Sequence, residues 1–430
     1  IDSRAVPDWF TAAKFGIFIH WGVYSVPSWA PVGKEFDVYS KYAEWYWKRL
    51  MDDTTNVGAA FRKHHLATYG PNFRYPDFAN QFKAELFNPD QWAALFKASG
   101  ARYVVLTSKH HEGFTLWPSA QSWNWNSVDI GPHRDLAGDL AKAVKAKGLK
   151  MGFYYSLYEW FNPLYHADVN RYVDEHMLPQ MKDLVMRYEP DVFWTDGEWE
   201  HPSSTWKSTQ FLAWLFNESP VRETVAVNDR WGKETRGHHG GFYTTEYNLV
   251  DKENVKDKRI MHPWEECRGI GGSFGLNRNE SLADYSTSEE LVHVLIEKVA
   301  GGGNLLLDIG PAADGTIPVI MQERLTDMGN WLKDNGEAIY GTRKWDDAPA
   351  TKDSGVYFTR KGKDLYVLCT HYPVGPIRLT GLHKPEHVSM LSGGDPVKFH
   401  YNAGELVIMP DPAGRHGGEY AWVFRVKNAL

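Results

Sequence analysis

Over its first 340 residues the chain alternates eight short apolar runs with amphipathic helical stretches, and this alternation limits the fold more than any other feature. The runs cover residues 15–20, 103–108, 150–156, 191–195, 224–228, 242–245, 260–264 and 304–309. Several are apolar throughout rather than at every second residue, as parallel strands buried on both faces require. The helices carry clear punctuation. Asn88-Pro89 opens one, Trp92, Leu95 and Phe96 form its stripe, and Gly100 closes it. Leu136, Leu140 and Val144 mark a second, which ends at Gly148, so a helix-glycine-strand unit occurs twice in succession. Met181, Leu184, Val185 and Tyr188 mark a third, with a kink expected at Pro179. Phe211, Trp214 and Leu215 mark a fourth. Thr287 and Glu290 form a capping box before Leu291, and a last helix runs from Pro318 to Asn335. Strands alternating with helices in this number predict a (β/α)8 barrel over residues 1–340. It should be a distorted one, because no helical pattern fills the stretch from Thr245 to Ile260.

Beyond residue 340 short β-type runs recur between Gly, Pro and Asn turns, which predicts a small antiparallel β-sandwich over residues 341–430. No low-complexity linker intervenes, so the two parts should pack together. Tyr420 and Trp422 share one face of a strand; inward packing is expected of them rather than a carbohydrate platform.

Composition removes several function classes. Charged residues make up 23% of the 430, the formal net charge is −7 and there is no basic run, which argues against a nucleic-acid partner. No apolar stretch approaches the roughly 20 residues of a membrane-spanning helix. Cys267 and Cys369 are the only cysteines, too few for a disulfide framework. The chain starts at Ile1 rather than methionine, so a removed leader is expected, and with it a secreted, periplasmic or lysosome-like location. Asn217-Glu218-Ser219 and Asn279-Glu280-Ser281 match the glycosylation pattern, which matters only in a eukaryotic secretory pathway. Aromatic residues reach 14%, including 19 tryptophans, more indole than a fold needs and useful in a sugar-binding cleft.

Polar and titratable residues gather where the strand-like runs end. His20-Trp21-Gly22 closes the first, and Lys109-His110-His111-Glu112 follows the second. Tyr155 lies in the third, and Phe193-Trp194-Thr195-Asp196-Gly197 ends the fourth on a carboxylate. Asp229-Arg230-Trp231 follows the fifth and Glu246-Tyr247 the sixth. In a (β/α)8 barrel these ends converge on one face, where active sites sit. An acid beside aromatic rings suits a sugar: the rings cover its apolar faces and the carboxylate reaches the anomeric carbon. Taken alone, the same stretch reads equally as a buried strand and an Asp-Gly turn. Adjacent strand residues point to opposite sides and no HExxH pattern accompanies them, so His110-His111 is not expected to hold a metal. Glu44-Trp45, in an aromatic run from Tyr42 to Trp47, reads by itself as core packing. His64-His65 and His238-His239 read as loop or packing histidines, and Gly301-Gly302-Gly303 as a helix stop.

Several blocks, in order, resemble the α-L-fucosidases of glycoside hydrolase family 29. They are residues 14–22 (KFGIFIHWG), 109–114 (KHHEGF), 194–197 (WTDG), 228–232 (NDRWG), 245–247 (TEY), 264–278 and 302–307 (GGNLLL). The resemblance implies a retaining, exo-acting enzyme that releases terminal α-linked L-fucose from glycans or glycoconjugates, without a metal or organic cofactor. It places the nucleophile at Asp196 and the acid/base at Glu246, with Glu265 and Glu266 as competing acids. It places His20, Glu44, Trp45, His110, His111, Tyr155, Trp194 and Arg230 around the fucose, and Phe18 and Phe274 near its methyl group. Two other readings stay open on sequence grounds: a retaining glycosidase for another 6-deoxyhexose or a galactose analogue, and a fucose-binding protein without catalysis.

Overall fold

The computed structural model describes residues 2–247, 262–349, 355–411 and 419–430. Eight parallel strands form one sheet: β1 Phe15–Ile19, β2 Tyr103–Lys109, β3 Lys150–Ser156, β4 Val192–Asp196, β5 Ala226–Val227, β6 Tyr243–Glu246, β7 Trp264–Gly269 and β8 Asn304–Ile309. Their order is β5-β4-β3-β2-β1-β8-β7-β6, and every neighbouring pair is parallel. This is the barrel that the eight runs predict, with the distortion at one seam. Between β5 and β6 two backbone hydrogen bonds, Gly241 N to Asn228 O at 3.1 Å and Phe242 N to Val227 O at 3.0 Å, take the place of a parallel ladder. A Cβ on Gly241 would sit 1.8 Å from Val227 O, so only glycine lets the two segments approach this closely.

The apolar runs are continuous because each strand has two buried faces. Phe15, Ile17, Ile19, Leu305, Leu307 and Ile309 pack outward against the helices. Phe18, Val105, Tyr154, Trp194 and Leu306 fill the barrel interior with Tyr103 and Phe242. The helices fall where their caps predict. Pro89–Ala98 starts after Asn88, whose side chain accepts from Gln91 N at 3.1 Å. Ser288–Ala300 starts with the Thr287–Glu290 capping box. Upstream of Pro179 the chain makes a π turn, Val173–Met177, since proline has no N–H to continue the ladder.

Two runs differ from expectation. The fifth shrinks to two residues because Asn228 uses its side chain as a surrogate strand. Its Nδ2 donates to Thr195 O at 2.7 Å and its Oδ1 accepts from Thr195 Oγ1 at 2.8 Å. The seventh begins later than the 260–264 run; residues 248–261, including the stretch expected to be irregular, lie outside the described residues.

The C-terminal residues form two antiparallel sheets. One, in spatial order, is β13 Val388–Met390, β16 Trp422–Val426, β11 Asp364–Cys369, β10 Val356–Lys361 and β9 Arg343–Lys344. The other is β12 Ile377–Thr380, β15 Glu405–Met409 and β14 Lys398–Asn402. Phe358, Val367, Leu379, Ile408 and Phe424 make their shared core. Trp331 Nε1 donates to Ala421 O at 3.1 Å, and His293 Nε2 lies 2.7 Å from Tyr420 O, so the sandwich is docked on the barrel helices.

Candidate active site

A cavity of about 240 Å³ opens at the carboxyl ends of the barrel strands. Strand alternation decides which side chains reach it. On β4, Trp194 and Asp196 face inward while Phe193 packs against Phe211 on the helix side. On β1, Phe18 faces inward, and His20 follows just beyond the strand. β2 ends at Lys109, so His110 and His111 are free of strict alternation and both line the cavity, their ring centroids 4.1 Å apart. The expectation that they point to opposite sides fails for that reason. Glu44 and Trp45 come from the short 3-10 turn Ala43–Trp45; they form cavity wall rather than remote core. Arg230 follows β5, Glu246 ends β6, and Phe274 hangs from the loop after β7.

One expected residue is misplaced. Tyr155 points away from the cavity, donates to Gln180 Oε1 at 2.8 Å and carries Lys109 Nζ 4.1 Å from its ring centre. Its neighbour Tyr154 occupies the inward position, since consecutive strand residues face opposite ways. Of the two competing acids, Glu265 is buried inside the barrel with Trp194 and Tyr103 bound to it. Glu266 pairs with Arg268 at 2.6 Å and Lys298 at 3.1 Å. Neither lines the cavity.

The centre of the site is one guanidinium between two carboxylates. Arg230 Nη1 donates to Asp196 Oδ1 at 2.8 Å. Its Nη2 lies 2.6 Å from Glu246 Oε1, a charge contact without hydrogen-bond alignment. Arg230 Nε is steadied by Thr244 Oγ1 at 2.9 Å, and the guanidinium carbon lies 4.4 Å from the Trp194 ring centre. Thr244 is in turn tied to Asp229, whose Oδ1 accepts from Thr244 Oγ1 at 2.7 Å and whose Oδ2 accepts from Gly237 N at 2.8 Å. Asp229 is thus a clamp on the loop that carries Arg230.

Asp196 Oδ2 accepts from Tyr154 OH at 2.9 Å. Burial alone would push the Asp196 carboxyl up, but Arg230, Arg236 and the two hydrogen bonds outweigh it and hold the group below the usual aspartate range. Glu198, buried two residues on, goes the other way: burial and the Asp196 charge raise it despite Arg236, whose Nη2 is 2.8 Å from Glu198 Oε1.

The histidines are anchored from behind. His111 Nδ1 lies 2.7 Å from Ser156 Oγ, which itself donates to Tyr158 O at 2.7 Å. The serine proton is therefore committed, Nδ1 must be the donor, and Nε2 is left as an acceptor for a ligand hydroxyl. Burial, His110, Lys109 and Arg230 all keep that ring neutral. His20 Nδ1 is 2.6 Å from Asp308 Oδ1, and burial disfavours charge on both partners, which leaves Nε2 for a ligand. Glu44 accepts from Gly275 N at 2.8 Å, and burial raises its carboxyl. His64 instead stacks on Trp29 at 4.1 Å, and His65 bonds to Tyr46 OH and Phe73 O, away from the cavity.

Sequence reasoning also misses Tyr39, Tyr42, Trp199, Arg236 and Cys267 on the cavity wall. Trp199 had a signal, as an aromatic three residues past the strand-end acid, and Tyr42 had one as the start of the aromatic run to Trp47. Among the described residues no cluster of three His, Cys, Asp or Glu could hold a metal ion, and no helix is long and apolar enough to cross a membrane.

A (β/α)8 barrel whose strand ends gather two carboxylates, an arginine fork and an aromatic-lined cavity has the parts that a glycoside hydrolase uses. Comparison with known proteins narrows this. The Alpha-L-fucosidase family model matches residues 1–337. The chain is 45% identical to an alpha-L-fucosidase of Branchiostoma floridae, covering 100% of this chain and 95% of that protein. It is 42% identical to the tissue alpha-L-fucosidase of Rattus norvegicus, covering 99% and 91%. The fold superposes on the Thermotoga maritima alpha-fucosidase crystallised with a mechanism-based inhibitor, with a TM-score of 0.83 and 38% identity over 98% and 97% of the two chains. The chain belongs to the α-L-fucosidase family.

Proposed function

We propose that this α-L-fucosidase works with retention of configuration, Asp196 acting as nucleophile and Glu246 as acid/base, on terminal fucose of glycans or glycoconjugates. The observation that carries the reading is the single Arg230 guanidinium that touches both carboxylates. One fork spans only a short distance, which suits the separation of about 5–5.5 Å that a retaining pair requires. An ionised Asp196 is ready to attack the anomeric carbon, and Tyr154 and Arg230 aim its two oxygens. In the first step Glu246 gives its proton to the glycosidic oxygen as the bond to the leaving group breaks. In the second, Glu246 takes a proton from water, which displaces Asp196. The Arg230 contact matches this second stage, when Glu246 is a base. His20, His110, His111 and Glu44 supply polar partners for ring hydroxyls. Phe18 and Phe274, 6.4 Å apart between ring centroids, offer an apolar wall to the C6 methyl. A hydroxymethyl group placed there would lose its water without gaining a partner, which favours fucose over galactose. We assign residues 1–340 to the catalytic unit and residues 341–430 to the appended sandwich.

Release of p-nitrophenol from the aryl α-L-fucoside by wild type and by Asp196→Gly, with and without azide, tests the assignment. The mutant should be nearly silent, and azide should restore turnover and yield the β-fucosyl azide. An active Asp196→Gly variant refutes the nucleophile. Azide rescue that yields the α-azide refutes it too, because two displacements then occur without Asp196, and β-fucose as the first product of the wild type refutes retention.

A further inference from the structure

Glu265 is a buried carboxylate with no place in the reaction just described. It projects from β7 into the barrel beneath the cavity, 1% exposed. Trp194 Nε1 donates to its Oε1 at 2.9 Å, and Tyr103 OH donates to its Oε2. The indole it holds touches both groups that aim Asp196. Arg230 lies over one ring of Trp194 at 4.4 Å, and Tyr154 stacks on Trp194 at 5.7 Å and 22°. Trp194 is also two residues before Asp196 on the same face of β4.

We propose that Glu265 is a positioning residue: by gripping the Trp194 indole it sets the shelf on which Arg230 and Tyr154 meet Asp196. This deepens the function proposed above and rests on Asp196 being the nucleophile. Two physical effects support it. A bound N–H stops the indole from turning about its side-chain torsions, so the guanidinium above it keeps one height and tilt. A negative charge behind the ring also makes the π face a better partner for the cation, in a site where water does not weaken the attraction. That charge is adjustable. Burial pushes the Glu265 carboxyl up to about 7, against the pull of Tyr103, Trp194 and Arg230. The titratable or charged groups that face it are Tyr103 from β2, Cys267 on its own strand and Arg230 from the loop after β5.

The test uses the full chain with ¹⁵N-labelled indoles, the Trp194 N–H resonance being identified by its loss in Trp194→Phe. In the wild type this resonance should shift with pH, with a midpoint near 7. In Glu265→Gln the hydrogen bond can persist but the charge cannot, so the resonance should move and its titration should vanish. For the aryl fucoside, kcat should fall about tenfold in Glu265→Gln, and more in Glu265→Leu, where the grip is gone. A Trp194 resonance that titrates alike in wild type and Glu265→Gln overturns the proposal. So does a kcat for folded Glu265→Gln within twofold of wild type. If Glu265→Leu does not fold, Glu265→Gln alone decides. Failure of azide rescue at Asp196 would sink the nucleophile assignment while leaving the Glu265–Trp194 resonance result readable by itself.

Discussion

Arg230 is the side chain whose removal should change the chemistry most among those that do not react. It is 1% exposed, ion-paired to Asp196 at 2.8 Å and to Glu246 at 2.6 Å. Two unit charges 4 Å apart interact by about 4 kcal/mol at an effective dielectric of about 20, equivalent to about three pKa units. Arg230→Met forfeits that for Asp196, but Arg236 stays 3.9 Å away and Tyr154 keeps its hydrogen bond, so the carboxyl should rise without becoming neutral outright. The sign follows from the direction in the wild type. Asp196 is held below its ordinary range, so it stays ionised until the solution is distinctly acidic. Without Arg230 the acid limb of kcat/KM should move to higher pH. At neutral pH kcat/KM should drop about 10² to 10³-fold, because the nucleophile and Glu246 also lose their common anchor. Arg230→Lys should recover part of this, since an ammonium is a point charge that cannot fork to two carboxylates. The assay is the pH profile of aryl fucoside hydrolysis, with thermal melting to confirm folding. A folded Arg230→Met enzyme with an unmoved acid limb and kcat/KM within tenfold of wild type refutes the reasoning.

Tyr154→Phe removes a hydrogen bond to an ionised carboxylate, about 1.5–3 kcal/mol, and should lower kcat about 10- to 100-fold. Tyr155→Phe should leave kcat unchanged and cost about 1 kcal/mol of stability through Gln180; steady-state kinetics and chemical denaturation of the two variants separate the roles. Glu159→Gln strips the partner from Lys109, which is fully buried at 2.8 Å from it, and should destabilise the fold by about 3–5 kcal/mol, measurable by denaturant titration. Burial raises Glu159, but Lys109 and His176 outweigh it and hold it below the ordinary glutamate range. Its wild-type contribution is therefore complete above that range and is lost as pH falls through the folded value, so the gap between wild type and variant should narrow in acid.

Much of the site was legible because the barrel converts position along the chain into position in space. A residue at the carboxyl end of a strand-like run is delivered to one face, and His20, His110, Asp196, Arg230 and Glu246 all arrive there. The error at Tyr155 comes from phase. A strand that is apolar on both faces carries no alternation from which to read its phase, so nothing in the run KMGFYYS of β3 says which tyrosine turns inward. The same ambiguity covers Glu265 and Glu266, adjacent acids of which one enters the barrel and the other meets Lys298 on its outside.

The sequence by itself determined the class of architecture, eight strands alternating with helices and then a β-sandwich, and the family, because hydrophobic period, helix caps and long motif blocks are local properties. Only the tertiary structure decided that Asn228 stands in for strand, that His111 presents an acceptor nitrogen, and that one guanidinium joins Asp196 to Glu246. Those facts depend on contacts between separate strand ends. The barrel brings together side chains far apart in the chain at angles that no local periodicity records.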